Sequence, residues 1–221
     1  MSCYPYAIFD MDGTLVDSMP YWQNCGRDYL LSRGITPEEG LWEKLSLMST
    51  DESARYFIER YGLTETPAEI VAGSNHIMYE NYRLRIPAKP GVPEYLEKLQ
   101  QAGVSMSVCS ATSIPLVEMT LTRLGLRKYF THLTSCDEVN KGKDRPDVFE
   151  LAISRLNARP EECVMYEDSD FGIRTARAIG MRVCGVYDPS CQTDAATVRT
   201  WCDRYIEDYR TLADFPQEIP E

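Results

Sequence analysis

The sequence predicts an α/β protein: a parallel sheet covered by helices on both faces, with an all-helical block inserted after the first strand. Three observations carry that reading. From residue 94 onward, apolar strand-like runs alternate with amphipathic helix-like runs, the rhythm of parallel strands joined by crossover helices. The strand-like runs are apolar along their length, as strands buried on both faces are. Between the first such run and the others, residues 19–85 read as helix only.

The first strand is YPYAIFD (4–10), an apolar run bounded by a turn signal. Three helices follow, YWQNCGRDYLLSRG (21–34), DESARYFIERYG (51–62) and TPAEIVAGSNHIMYENYRLR (66–85), separated by Gly, Pro and Ser-Thr breaks. Thr50 or Asp51 is placed to cap the second of them, and Gly62 to end it. IPAKPGV (86–92), with two prolines and a glycine, is the expected hinge or linker. Helix 94–103 then leads to strand 104–111, helix 114–125 to strand 131–136, helix 146–157 to strand 163–168, and helix 171–180 to strand 182–188. The tail YIEDYRTLADF (205–215) is expected to add a short strand and a last helical turn. These breaks give a core of residues 1–15 and 89–221, and a helical insertion of residues 16–88 that reads as a lid.

The 221 residues, 43% hydrophobic and 26% charged, suit a globular chain with a full core. A net charge of −11 argues against nucleic acid or an anionic membrane as a partner. It leaves room for a small anionic substrate in one basic, metal-loaded pocket. The N-terminus carries no basic region followed by a long apolar run, and no stretch approaches the ~18 apolar residues of a membrane span. The eight cysteines are scattered without a C-x-x-C pair, which predicts a reduced, cytoplasmic protein. A monomer or weak homodimer is expected.

In an open parallel sheet, ligands bind beyond the carboxyl ends of the strands. There the sequence places Asp10 and Asp12 on the first strand, Ser110 on the second, and Glu167 and Asp168 on the fourth core strand. The loop after residue 138 adds Lys141 or Lys143. Taken alone, Asp-x-Asp before Gly is a turn cap, a strand-end serine is a helix cap, and a loop lysine is solvated. Together they are not so easily explained. Two like charges 4 Å apart repel by ~4 kcal/mol at an effective dielectric of about 20, so the carboxylates need a cation between them. All the donors are oxygens, which points to a hard divalent ion, magnesium, shared with a substrate phosphate.

The order of these motifs resembles the haloacid dehalogenase superfamily, in the branch whose small helical cap follows the first motif. That branch reads D-x-D-G-T-L-x-D-S, here DMDGTLVDS (10–18), then a strand ending in Ser or Thr, here SVCSATS (107–113). A lysine before P-D-x-F follows, here GKDRPDVF (142–149), with Asp144 where proline is usual. The last is E-D-S-x-x-G-I, here EDSDFGI (167–173). The resemblance covers nearly the whole chain and implies a Rossmann-like catalytic core with an inserted helical cap.

The resemblance implies a magnesium-dependent phosphatase of a small phosphomonoester such as a sugar phosphate, working through an aspartyl-phosphate. Asp10 would be the nucleophile and Asp12 the general acid and then base. Ser110 and Lys143 would hold the phosphoryl oxygens, with the backbone from Met11 through Gly13 to Thr14 as an anion cradle. Ala111 and Thr112, just after Ser110, would touch substrate. Asp10, the main-chain carbonyl of Asp12, and Asp168 would bind magnesium, with Glu167 beside them. Asp12 also disfavours dehalogenation, because a halide leaves without a proton.

The nearest patterns are phosphoglycolate-type phosphatases and beta-phosphoglucomutases. The mutases resemble one another in a cap histidine where this chain has Trp22 and in a cap arginine where it has Thr50. Trp22 and Thr50 are therefore candidate substrate contacts, with Tyr21, Ser49 and Asp51 beside them and His76 more distant. They point toward a neutral or sugar-like leaving group. A mutase is the alternative reading. A catalytically silent relative kept for protein binding is the further one, and it is countered by the intact Asp10, Asp12 and Lys143.

Overall fold

The computed structural model describes residues 4–211, and these divide into two compact units. One unit takes in the chain up to Asp17 and from Pro87 onward, and the other is Ser18–Ile86.

The first unit is built on β1 (Tyr6–Phe9), whose burial is near total from Ala7 onward. After the insertion come α5 (Val92–Gln101), β2 (Ser105–Ser110), α6 (Ile114–Arg123), β3 (Phe130–Ser135), α7 (Asp147–Arg155) and β4 (Cys163–Glu167), then α8 (Asp170–Ala178), β5 (Arg182–Val186), α9 (Ala195–Thr200) and β6 (Arg204–Ile206). The helices α1 to α4 belong to the insertion. All strand pairs are parallel, in the order β3-β2-β1-β4-β5-β6. The chain runs outward from β1 through β2 to β3, then returns to the other side of β1 for β4, β5 and β6. The reversal leaves a crevice beyond the carboxyl ends of β1 and β4, the place where such sheets bind ligands. This is the α/β architecture expected from the sequence.

Burial on both faces explains the unbroken apolar runs. Every residue of β4 is buried, and Ile8, Phe149, Met165 and Ile173 pack in one cluster around it. Phe9 stacks on Tyr166 at 4.2 Å between ring centroids, and the Tyr95 and Tyr166 hydroxyls meet at 2.8 Å. The thiols of Cys109, Cys163 and Cys184 lie buried in the strands, and all seven cysteines among the described residues are free. Cys3 lies outside the described residues. No described helix is long and apolar enough to cross a membrane.

The second unit contains α1 (Met19–Ser32), α2 (Leu41–Leu45), α3 (Thr50–Tyr61) and α4 (Pro67–Leu84). Tyr29, Leu30, Phe57 and Ile70 form its buried centre. Its two longest-defined starts are capping boxes. Ser49 accepts from Glu52 N while Glu52 accepts from Ser49 N (2.8 Å), and Thr66 and Glu69 repeat the arrangement. The cap of α3 is thus Ser49, not Thr50 or Asp51 as expected, because only Ser49 has extended backbone and a glutamate three residues on. Gly62 ends α3 as expected, at φ 70°.

Two helices escape the sequence reading: α2 and α9, with 5 and 6 residues, are too short for a 3.6-residue period to repeat. The expected tail yields β6 and a single turn at Tyr209–Thr211, and residues 212–215 lie outside the described residues. In the first unit the two linkers run side by side. Asp17 N donates to Pro87 O (3.0 Å), Lys89 N donates to Leu15 O (2.9 Å), and Val16 bridges to Ala88.

Phe149, fully buried on α7, tests the packing. Phe149→Ala should destabilise the protein by about 3–5 kcal/mol in urea unfolding. A loss under about 1 kcal/mol would mean the cluster around β4 is loosely packed.

Candidate active site

β1 and β4 are neighbours in register, Phe9 opposite Tyr166, and Asp10 N donates to Tyr166 O (2.9 Å). This brings Asp10, one residue past β1, level with Glu167 at the end of β4. Both carboxylates are buried, with Asp10 only 6% exposed and Glu167 1%. Lys143 lies between them. Its Nζ is 2.5 Å from Asp10 Oδ1 and 2.8 Å from Glu167 Oε2. Of the two loop lysines, Lys143 therefore reaches the carboxylates, while Lys141 forms an exposed pair with Asp147 at the start of α7. Asp144, in the place where proline is usual, is exposed and leaves these Lys143 contacts intact.

The turn after Asp10 is shaped by Gly13, at φ 77°. Leu15 N and Val16 N both donate to Met11 O, and Gly13 N donates to Val16 O. A Cβ on Gly13 would stand 2.3 Å from Asp168 Oδ2, so any side chain here collides with the next carboxylate. Thr14 Oγ1 donates to Asp168 Oδ1 (2.9 Å), and Tyr209 Oη donates to Thr14 O (3.2 Å). Thr14 thus holds Asp168 through its side chain.

On the other flank, Asp12 Oδ2 accepts from Thr112 Oγ1 (2.7 Å), and Thr112 N donates to Ser110 Oγ (3.0 Å). The two motifs at the ends of β1 and β2 are therefore joined by hydrogen bonds. Ser110 is buried and Ala111 beside it is exposed.

Ligand oxygens of Asp10, Glu167 and Asp168 lie within 4.8 Å of one another. The donor set is all oxygen, which fits a hard divalent cation. The three are not equivalent. Glu167 Oε2 accepts from Lys143, and Oε1 accepts from Ser169 Oγ (2.7 Å) and Ser169 N (3.1 Å). Both its oxygens are in use, so Glu167, expected beside the metal, serves to seat Lys143. Asp10 and Asp168 are left as the carboxylates best able to take a cation.

The electrostatics agree with that division. Burial pushes Asp10 well above the ordinary carboxylate range, and Glu167, Asp168 and Asp12 add to it against the pull of Lys143. Burial and Glu167 lift Asp168 to about 7. Burial alone would strip the Lys143 proton, but Asp10 and Glu167 outweigh it and hold the ammonium charged. The cluster is short of positive charge.

One buried carboxylate was missed at the sequence level. Asp188, two residues past β5, is 3% exposed, pairs with Lys89 Nζ at 2.8 Å and accepts from Ser190 N and Oγ. Its charge contributes to the rise at Asp168. The signal was present, since Asp188 closes a strand-like run as Asp10 does.

In the helical unit, Trp22 Nε1 donates to Tyr82 Oη (3.0 Å), and Trp22 and Thr50 line one cavity of that unit. Tyr21 lies instead in a polar depression with Arg27 and Arg85. His76 stacks on Tyr79, and His132 is exposed on β3.

Comparison with known proteins fits this geometry. The fructose-1-phosphate phosphatase YqaB of Escherichia coli K12 is 30% identical over 178 residues, covering 80% of this chain and 94% of its own length. A phosphorylated carbohydrates phosphatase of Thermotoga maritima is 28% identical over 180 residues, 81% of this chain and 83% of that one. A solved Thermotoga maritima structure, provisionally described as a beta-phosphoglucomutase, superimposes with a TM-score of 0.82 and 25% identity over 93% of this chain and 95% of that one. The family model for haloacid dehalogenase-like hydrolases matches residues 7–186, and the chain belongs to that family.

Proposed function

We propose that the chain is a magnesium-dependent phosphatase that hydrolyses a small phosphomonoester through an aspartyl-phosphate on Asp10. The observation that carries this reading is the buried triplet of Asp10, Lys143 and Glu167, with Asp168 within ligand distance. The phosphatases among its relatives support it.

In the first step an Asp10 carboxylate oxygen attacks phosphorus, and the bond from phosphorus to the ester oxygen breaks. Asp12, two residues on and oriented by Thr112, gives its proton to the departing alcohol oxygen. In the second step Asp12 takes a proton from water as that water attacks phosphorus, releasing phosphate and restoring Asp10. Lys143, Ser110 and the backbone N–H groups of the turn from Met11 to Thr14 offset the charge on the phosphoryl oxygens. Glu167 fixes Lys143 through its second carboxylate oxygen, so the ammonium cannot swing away from Asp10. Asp10, Asp168 and the main-chain carbonyl of Asp12 are the groups to hold magnesium, which when bound neutralises this acidic pocket and a substrate phosphate within it.

The helical unit is assigned the role of a cap that selects the substrate. A mutase reading draws on the structural likeness to the Thermotoga protein. Against it, a mutase must hold a second phosphate, and Trp22 and Thr50 offer no charge for one.

Phosphate release from sugar phosphates, phosphoglycolate, nucleotides and p-nitrophenyl phosphate, with magnesium and with chelator, tests the reading. Turnover should need magnesium, and Asp10→Asn should lower it by about a thousandfold or more. Release by Asp10→Asn at near the wild-type rate would remove Asp10 as nucleophile. Conversion of beta-glucose 1-phosphate to the 6-phosphate without net phosphate release would establish the mutase instead.

The raised Asp168 gives a second test. A cation must displace its proton, so cation affinity should rise with pH until Asp168 is ionised above about 7. Magnesium titration calorimetry should show binding weakening by up to about tenfold per pH unit below that point. A flat affinity across the same range would contradict a raised Asp168 that must lose its proton to take the cation.

A further inference from the structure

Lys89 stands on the second linker and reaches the end of β5. Its Nζ lies 2.8 Å from Asp188 Oδ2 and donates to Tyr187 O (2.7 Å). Both side chains are nearly dry, with 12% of Lys89 and 1% of Asp188 exposed. Each partner is also fixed without the other. Lys89 N donates to Leu15 O, and Val92 N donates to Lys89 O. Gly91, at φ 86°, passes so close to Arg210 that a Cβ would stand 2.7 Å from its main-chain N. Asp188 Oδ1 accepts from Ser190 N and Oγ, while Oδ2 accepts no aligned hydrogen bond. The ammonium therefore answers that oxygen by charge alone.

The pair flanks Asp168 on two sides. Glu167 is level with Gly185 in the pairing of β4 with β5, so Asp188 lies two residues beyond the level of Asp168 on the neighbouring strand. Strands about 4.8 Å apart with a rise of ~3.3 Å per residue put the two main chains roughly 8 Å apart there. On the other side, Leu15, which holds Lys89 N, directly follows Thr14, which holds Asp168 Oδ1. The Asp188 charge is felt at Asp168, where it adds to burial and to Glu167 in lifting that carboxyl.

We infer that Lys89 and Asp188 are positioning residues for the bound cation: Asp188 extends the negative field of Asp10 and Asp168, and Lys89 sets how much of that field the cation meets. The inference rests on the cation-binding part of the reading above. The competing account is a staple that only fastens the linker to β5. Against it, the linker is already held by main-chain hydrogen bonds, and a buried ion pair adds little stability once desolvation is counted. Lys143 is shared by Asp10 and Glu167, which leaves the field at Asp168 to be set by neighbouring charges. At roughly 8 Å and an effective dielectric of about 20, one charge acting on a divalent ion is worth more than tenfold in affinity.

The experiment is magnesium titration calorimetry without substrate on wild type, Asp188→Asn, Lys89→Met and the double variant. It is run at about pH 8, above the point where Asp168 ionises. Asp188→Asn leaves the ammonium unanswered and should weaken binding about tenfold. Lys89→Met uncovers the Asp188 carboxylate and should tighten binding about fivefold. The double variant, which removes both charges, should fall between the singles and within about threefold of wild type. A staple predicts instead that both singles weaken binding and that the double variant does not recover.

Singles that shift binding in the same direction, or by less than about twofold, overturn the inference while leaving the cation site standing. Should Lys89→Met not fold, Asp188→Asn and the double variant decide: recovery on removing the lysine upholds the inference, and no recovery overturns it. A wild type that binds no magnesium overturns the cation reading and the inference with it.

Discussion

The Lys143 ammonium, held between Asp10 and Glu167, is the interaction on which the rest of the site depends. Taking an ion out of water costs several kcal/mol even after relaxation, and here two carboxylates and an ammonium are all nearly dry. One positive charge serves Asp10 and Glu167, yet Asp168 and Asp12 lie beside them. The imbalance is not a defect of packing. It leaves a pocket with a surplus of negative charge that a cation can offset, and on the proposed reading it places a charged donor beside the phosphoryl group.

The fold supports that imbalance by fastening the neighbouring residues through hydrogen bonds and close contacts. β1 and β4 are adjacent because the chain reverses direction across the sheet there, so four acidic residues from two distant stretches of sequence end up on one edge. Gly13 allows the turn to pass Asp168 closely, and Thr14 and Tyr209 fasten it. Lys89 and Asp188 pair where the second linker meets the end of β5. Each of these contacts spans segments far apart in the chain. The site is therefore only as well ordered as the sheet beneath it.

Much of this was legible in the sequence because strand ends and apolar runs are local signals. Asp10 and Asp12, Ser110, and Glu167 and Asp168 close three such runs, and the parallel topology brings those three strand ends to one edge. What was not legible depends on partners distant in sequence. Lys141 and Lys143 sit in the same polar loop, and only the Asp147 carboxylate at the start of α7 and the two buried carboxylates sort one to the surface and the other to the site. The split of labour between Glu167 and Asp168 is likewise invisible in a pair of adjacent acids, since it is Ser169 and Lys143 that occupy Glu167. Asp188 had the right position, but its lysine lies across the insertion. Helices α2 and α9 were lost for a simpler reason, too few turns to show a period.

The central claim is that Asp10 carries the phosphoryl group during turnover. Single-turnover reaction with p-nitrophenyl phosphate and magnesium, quenched in acid and followed by peptide mass spectrometry, reads this directly. The account predicts a transient phosphoryl adduct on the peptide containing Asp10, localised to that residue and absent in Asp10→Asn. An adduct on another side chain would contradict it, and so would an adduct that persists in the variant.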